Sequence, residues 1–184
     1  SGASRHGSTA LRGSSRPATV WPVVTNPSLD ASMSTLTGET RPLQQWLTTF
    51  HLASVVLDPY TNESSWVLDS AVRILDGLRG SSARVNLVVT SDAAGAEAFL
   101  GPIAKQFLVF CDPQRAFVRA LGLQLLPAFV FVRIDGTVQA SAEGWNPAEW
   151  RTVAHAIAEA TSWLPPDIPG PKDPRAFAGT PALG

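Results

Sequence analysis

The chain has 184 residues, a formal net charge of −1, 45% hydrophobic residues and 16% charged residues. At roughly 150 residues per domain this is one domain with length to spare at its ends, and the apolar share is sufficient for a core. The near-neutral charge argues against a nucleic-acid or anionic-membrane binder acting through bulk charge, and no apolar run approaches the ~18 residues that span a bilayer. The single cysteine, Cys111, excludes an internal disulfide framework, a zinc site built on cysteine pairs and a self-contained dithiol centre.

Residues 1–28 are rich in Ser, Gly, Arg and Pro and read as a flexible arm, with an apolar cluster around Trp21 as the one segment that could dock. No apolar stretch of the kind a secretory peptide carries follows the early arginines, so a cytoplasmic location is expected. Thr35 to Leu43 reads as a short hairpin turning at Gly38, and Gln44 to Phe50 as a helical turn. Leu52 to Leu57 is apolar and rich in β-branched residues, as a buried central strand should be. A loop over 58–63 follows. Ser64 or Ser65 then caps a helix whose apolar positions Val67, Leu68, Ala71, Val72, Leu75 and Leu78 keep the 3.6 period.

Val85 to Val89 is a second buried strand, and Asp92 caps a helix that ends at Gly101-Pro102. After the short strand Phe107 to Phe110, the pair Asp112-Pro113 predicts a helix start: a cap, then proline at the first helical position. Leu125 to Ile134 reads as a strand interrupted at Pro127, Asp135-Gly136 as a hairpin turn, and Thr137 to Ala142 as the returning strand. Asn146-Pro147 opens a last helix. Beyond it, residues 164–184 are too rich in Pro and Gly for helix; they read as a disordered arm unless Ile168 and Phe177 anchor it. The division is an arm over 1–28, a domain over 29–163 and an arm over 164–184. Alternating strands and helices that finish in a hairpin and a helix give an α/β fold, a mixed sheet with helices on both faces.

The leading hairpin, the strand, loop and helix of Val55 to Leu75, and the run Phe110-Cys111-Asp112-Pro113, Leu121-Gly122-Leu123, Leu126-Pro127-Ala128-Phe129-Val130-Phe131-Val132 and Asp135-Gly136-Thr137-Val138 together resemble the thioredoxin-like fold, in its TlpA-like and peroxiredoxin-like (redoxin) branch. The resemblance covers about residues 29–163. It implies a cis bond before Pro127, with residues 126 and 127 beside the active-site loop. It also implies a CxxC or a single peroxidatic cysteine between the first central strand and its helix, and here the chain departs. That loop, Tyr60-Thr61-Asn62-Glu63-Ser64-Ser65-Trp66, has no cysteine. Disulfide exchange runs through thiolate, which a hydroxyl cannot replace.

The first expectation is therefore a redox-inactive thioredoxin-like module that binds protein or serves as a chaperone or assembly factor. Its binding residues are Tyr60, Thr61, Asn62, Glu63, Ser64, Leu126 and Pro127, with Trp145 beside them, because strand addition needs backbone geometry rather than thiols. The second is a one-cysteine oxidoreductase or peroxidase using Cys111. Against it stand the adjacent Asp112, which would raise a thiol pKa, and the habit of free cysteine to be a small buried residue. The third is an accessory subunit held in a larger complex by its arms. Asp58 and Glu63 read as turn and first-turn residues before they read as general bases. Trp145 and Trp150 near one helix start serve either packing or a partner. His6, His51 and His155 lack ligand spacing, and no glycine-rich phosphate loop or nucleophile elbow occurs, so no metal or cofactor is expected.

Overall fold

The computed structural model describes residues 24–184. The expected N-terminal arm, Trp21 included, lies outside the described residues apart from 24–28. Within those, Thr25 N–H donates to the Leu121 carbonyl at 2.9 Å, and the Asn26 Oδ1 accepts from Val138 N–H at 2.9 Å.

The hairpin consists of β1 (Ser32–Thr35) and β2 (Thr40–Pro42), turning at Gly38 with φ +91°, and leads into the single turn α1 (Leu43–Trp46). The central strand β3 (His51–Leu57) is followed by α2 (Asn62–Leu78), β4 (Ala83–Val89) and α3 (Ala93–Leu100). Asp92 caps α3, its carboxylate accepting from Gly95 N–H at 2.8 Å. A 3₁₀ turn (Gly101–Lys105) then joins β5 (Leu108–Cys111). The second half runs α4 (Ala116–Leu121), β6 (Leu125–Leu126), β7 (Ala128–Val132), β8 (Val138–Glu143) and α5 (Pro147–Thr161).

Seven strands form one sheet in the order β2-β1-β5-β4-β3-β7-β8, parallel at β3–β4 and β4–β5 and antiparallel elsewhere. The period of two divides each central strand between two cores. Val55, Leu57, Phe129 and Phe131 face Val67, Ile74 and Leu75 of α2 and Trp150, Val153 and Ile157 of α5. Leu52, Val56, Val130 and Val132 face the other way, toward α1 and α4. The sheet is thus covered on both faces, as its nearly continuous apolar strands require.

Several strand ends shift by a residue or two and α1 spans Leu43–Trp46 instead of Gln44 to Phe50; three further departures have a local reason. Helix α2 starts at Asn62 with Thr61 in the capping position, so Asn62, Glu63 and Ser64 form its first turn rather than a loop. Helix α4 starts at Ala116 instead of after Asp112-Pro113, because Arg115 is held at φ +58°, outside helical space. Asp112 still caps it from a distance: its Oδ2 accepts from Phe117 N–H at 3.0 Å and Val118 N–H at 3.3 Å.

The C-terminal arm is the third, since it is packed along the body. Trp163 lies over Gly80 and donates Nε1–H to the Gly77 carbonyl at 2.9 Å, and Ile168 is buried in the α2–α5 core. The arm ends as β9 (Thr180–Pro181), paired antiparallel with β6 in a separate two-stranded sheet. No helix among the described residues is long and apolar enough to cross a membrane.

Candidate functional site

The site forms where β3 gives way to α2. Pro59 and Tyr60 turn the chain, and the Asp58 carboxylate accepts from Tyr60 N–H at 3.0 Å to fix that turn. Ser64 faces inward from the first turn of α2, its Oγ accepting from Asp58 N–H at 2.9 Å. Glu63 lies in that turn, where the helix dipole favours a carboxylate. Tyr60 remains 74% exposed and Trp66, one turn along α2, 56% exposed.

Leu126 and Pro127, joined by a cis peptide bond, are both buried, and the Pro127 carbonyl accepts from Gly144 N–H at 2.8 Å. Leu125 and Leu126 pair with β9 in the register Leu125↔Pro181 and Leu126↔Thr180. The tail strand occupies a slot between this segment and Gly144-Trp145. On the far side, Phe177 and Trp145 exchange backbone hydrogen bonds of 2.9 and 3.0 Å.

Trp145 belongs to the core and not to a partner-facing surface. Its indole is fully buried, packed edge-on against Trp150 at 5.0 Å between centroids, and its Nε1–H donates to the Pro174 carbonyl at 2.8 Å. The tail supplies the cover: a buried indole needs an acceptor, and the arm brings one. Of the expected binding residues, then, Tyr60, Thr61, Asn62 and Glu63 present accessible surface; Leu126 and Pro127 are buried, Leu126 paired with Thr180 and the Pro127 carbonyl accepting from Gly144 N–H at 2.8 Å; and Ser64 and Trp145 are buried.

Arg115 joins the two halves of the site. Its guanidinium donates to Asp58 Oδ2 at 2.9 Å and to the Ala182 carbonyl at 2.6 Å, linking the loop ahead of α2 to the end of the tail. The pair is largely shielded, with side-chain exposures of 15% for Arg115 and 3% for Asp58. Asp58 is committed to this bond and to its own turn, which leaves it no role as a base. Nothing in the sequence joined Arg115 to Asp58, 57 positions apart.

Cys111 lies elsewhere. It ends β5, opposite Val89 of β4 and Ser34 of β1, and the sheet interposes β4 and β3 between it and β7. Burial pushes its thiol pKa up, and the charges of Asp92 and Glu97 push it further the same way. The Asp112 carboxylate is turned to the amides of α4. Burial raises the Asp112 carboxyl too, against the pull of those hydrogen bonds. A cleft of about 320 Å³ at the opposite end of β4 is lined by Phe50, Arg79, Arg84 and Phe107. Its arginines stack on the two phenylalanine rings, and Arg79 also engages Asp76 and the Gln106 carbonyl. No cluster of potential metal ligands occurs among the described residues.

No family model and no curated protein matches the chain. Solved structures do match. A putative thiol:disulfide interchange protein DsbE from Chlorobium tepidum aligns at TM-score 0.62 and 17% identity over 75% of this chain and 97% of its own. A secreted Mycobacterium tuberculosis disulfide oxidoreductase homologous to E. coli DsbE aligns at 0.54 and 16%, over 70% and 97%. Xanthomonas campestris peroxiredoxin Q aligns at 0.58 and 12%, over 77% and 98%. At these identities the likeness is one of fold. The mixed sheet and its neighbours together define a thioredoxin-like α/β fold of the redoxin type, in a chain whose single cysteine cannot form a CxxC.

Proposed function

We propose that this chain is a redox-inactive thioredoxin-like module that binds extended protein segments at the loop 60–63 and the Leu126-Pro127 edge. The observation that carries the reading is the edge itself: an extended segment already adds to Leu125–Leu126 as an antiparallel strand. Main-chain hydrogen bonds of this kind supply affinity without reactive groups. The positions that open α2, Asn62-Glu63-Ser64-Ser65, hold no thiol for the helix N-terminus to activate. Burial and neighbouring carboxylates disfavour the Cys111 thiolate, which weighs against a one-cysteine enzyme. The accessory-subunit reading draws less support, since the C-terminal arm is engaged with its own domain.

The test is binding of a reduced, carboxymethylated α-lactalbumin, an unfolded chain without free thiols. Tyr60→Ala and Pro127→Ala should each weaken binding about tenfold, some 1.4 kcal/mol, while circular dichroism shows the fold retained. Cys111→Ser should bind as the parent does. Unchanged affinity in both edge variants rejects the site, and loss of binding in Cys111→Ser rejects the thiol-free reading.

A further inference from the structure

We infer that residues 174–184 are a detachable intramolecular ligand that closes the β6 edge, and that the slot they vacate takes an extended segment of a protein partner with glycine at the position of Gly179. The inference rests on the binding-module reading and adds its regulation and its selectivity.

The arm divides at Asp173. Up to that point it is fastened through side chains: Trp163 over Gly80, Ile168 in the core, and the Asp173 carboxylate accepting from Ser70 Oγ at 2.7 Å, Gly170 N–H at 2.6 Å and Arg73 at 2.6 Å. After it, Ala182 is the one buried residue, and Phe177 is half-buried with its ring 5.5 Å from that of the exposed Trp66. The tail's own groups bond through its main chain, Phe177 N–H to the Trp145 carbonyl and Ala182 N–H to the Gln124 carbonyl at 2.8 Å, while its Pro174 and Ala182 carbonyls accept from Trp145 Nε1–H at 2.8 Å and Arg115 at 2.6 Å. A segment that buries few side chains opens more readily than the body it lies on, and an incoming strand's carbonyls can replace the acceptors that Trp145 and Arg115 lose. Any extended chain can form the same bonds, because they read no side chain.

What the slot does read is the absence of one. A Cβ on Gly179 would lie 2.7 Å from the Leu126 carbonyl oxygen and 2.9 Å from the Leu125 Cβ, and a Cβ on Gly144 would lie 2.8 Å from Gly179 N. Two glycines face each other across the closest approach, so an incoming strand needs glycine there. A partner also competes with a tethered strand whose effective concentration is of millimolar order, which keeps the edge closed to weak ligands.

The experiment uses fluorescence anisotropy of a labelled peptide with the sequence of residues 174–184, titrated with the full chain. Gly179→Val in the protein, which should expel the tail strand, is expected to bind the peptide at least tenfold more tightly than the parent does. Asp173→Ala, which unfastens the tail at its other end, should shift affinity the same way and carries the reading if Gly179→Val does not fold. A peptide bearing the Gly→Val change should bind none of the proteins. Equal affinity of parent and variants, or equal binding of the two peptides, overturns the inference. The carboxymethylated α-lactalbumin separates it from the binding-module reading. If the peptide binds Gly179→Val and the lactalbumin does not, the tail inference stands and the module reading falls; if the lactalbumin binds parent and Gly179→Val alike, the reverse holds.

Discussion

Arg115 and Cys111 stand four positions apart and show how far a residue's neighbours decide its work. Arg115 adopts φ +58°, an uncommon conformation for a residue with a Cβ, and its guanidinium bridges Asp58 to the tail. No spacing rule reports such a contact, since it depends on how two loops meet above the sheet. The sequence did mark Asp58-Pro59 as a turn, which it is, but not the ion pair that occupies the carboxylate. For Cys111 the sequence favoured a small buried residue; the structure leaves it partly exposed at the end of β5, with burial and the charges of Asp92 and Glu97 raising its pKa. The expected consequence is a slow thiol. Alkylation of Cys111 by iodoacetamide should keep accelerating with pH beyond ~8.5, where a free thiol is half ionised, because the folded-state pKa is raised. A rate that levels off below pH 8 would restore the peroxidase alternative.

At the scale of elements, the strands and long helices were legible because each carries its own periodicity, and β3, β4, α2 and α5 fall close to where that periodicity puts them. The start of α4 was misplaced because Asp112-Pro113 has the composition of a cap while Arg115, at φ +58°, delays helical geometry to Ala116. The tail was the hardest element to read. Proline-rich chains cannot show in their own pattern whether a distant groove accepts them, and β9 draws its pairing from β6, more than 50 positions earlier. The glycines of the slot, Gly144 and Gly179, were visible as residues but not as a pair. Asp173→Ala should cost the docked tail about 1–3 kcal/mol by removing the acceptor of three hydrogen bonds. Hydrogen exchange of the Phe177 and Ala182 amides should then accelerate at least tenfold, with the β7 amides unchanged. Equal acceleration throughout would mean that the tail does not open as a separate unit.

The molecule as a whole has a thioredoxin-like scaffold, a covered mixed sheet with a loop and a proline edge at one end, and that loop, residues 60–66, holds no cysteine. At that end stand an exposed Tyr60, an exposed Trp66 and a two-residue strand whose edge the chain's own terminus fills. The measurement that bears most directly on this account is residue-resolved hydrogen exchange of the Gly179→Val chain with and without carboxymethylated α-lactalbumin. Protection is predicted to rise at Tyr60–Glu63 and Gln124–Leu126 and to stay unchanged around Cys111. Protection that appears at Cys111, or at neither edge segment, would contradict it.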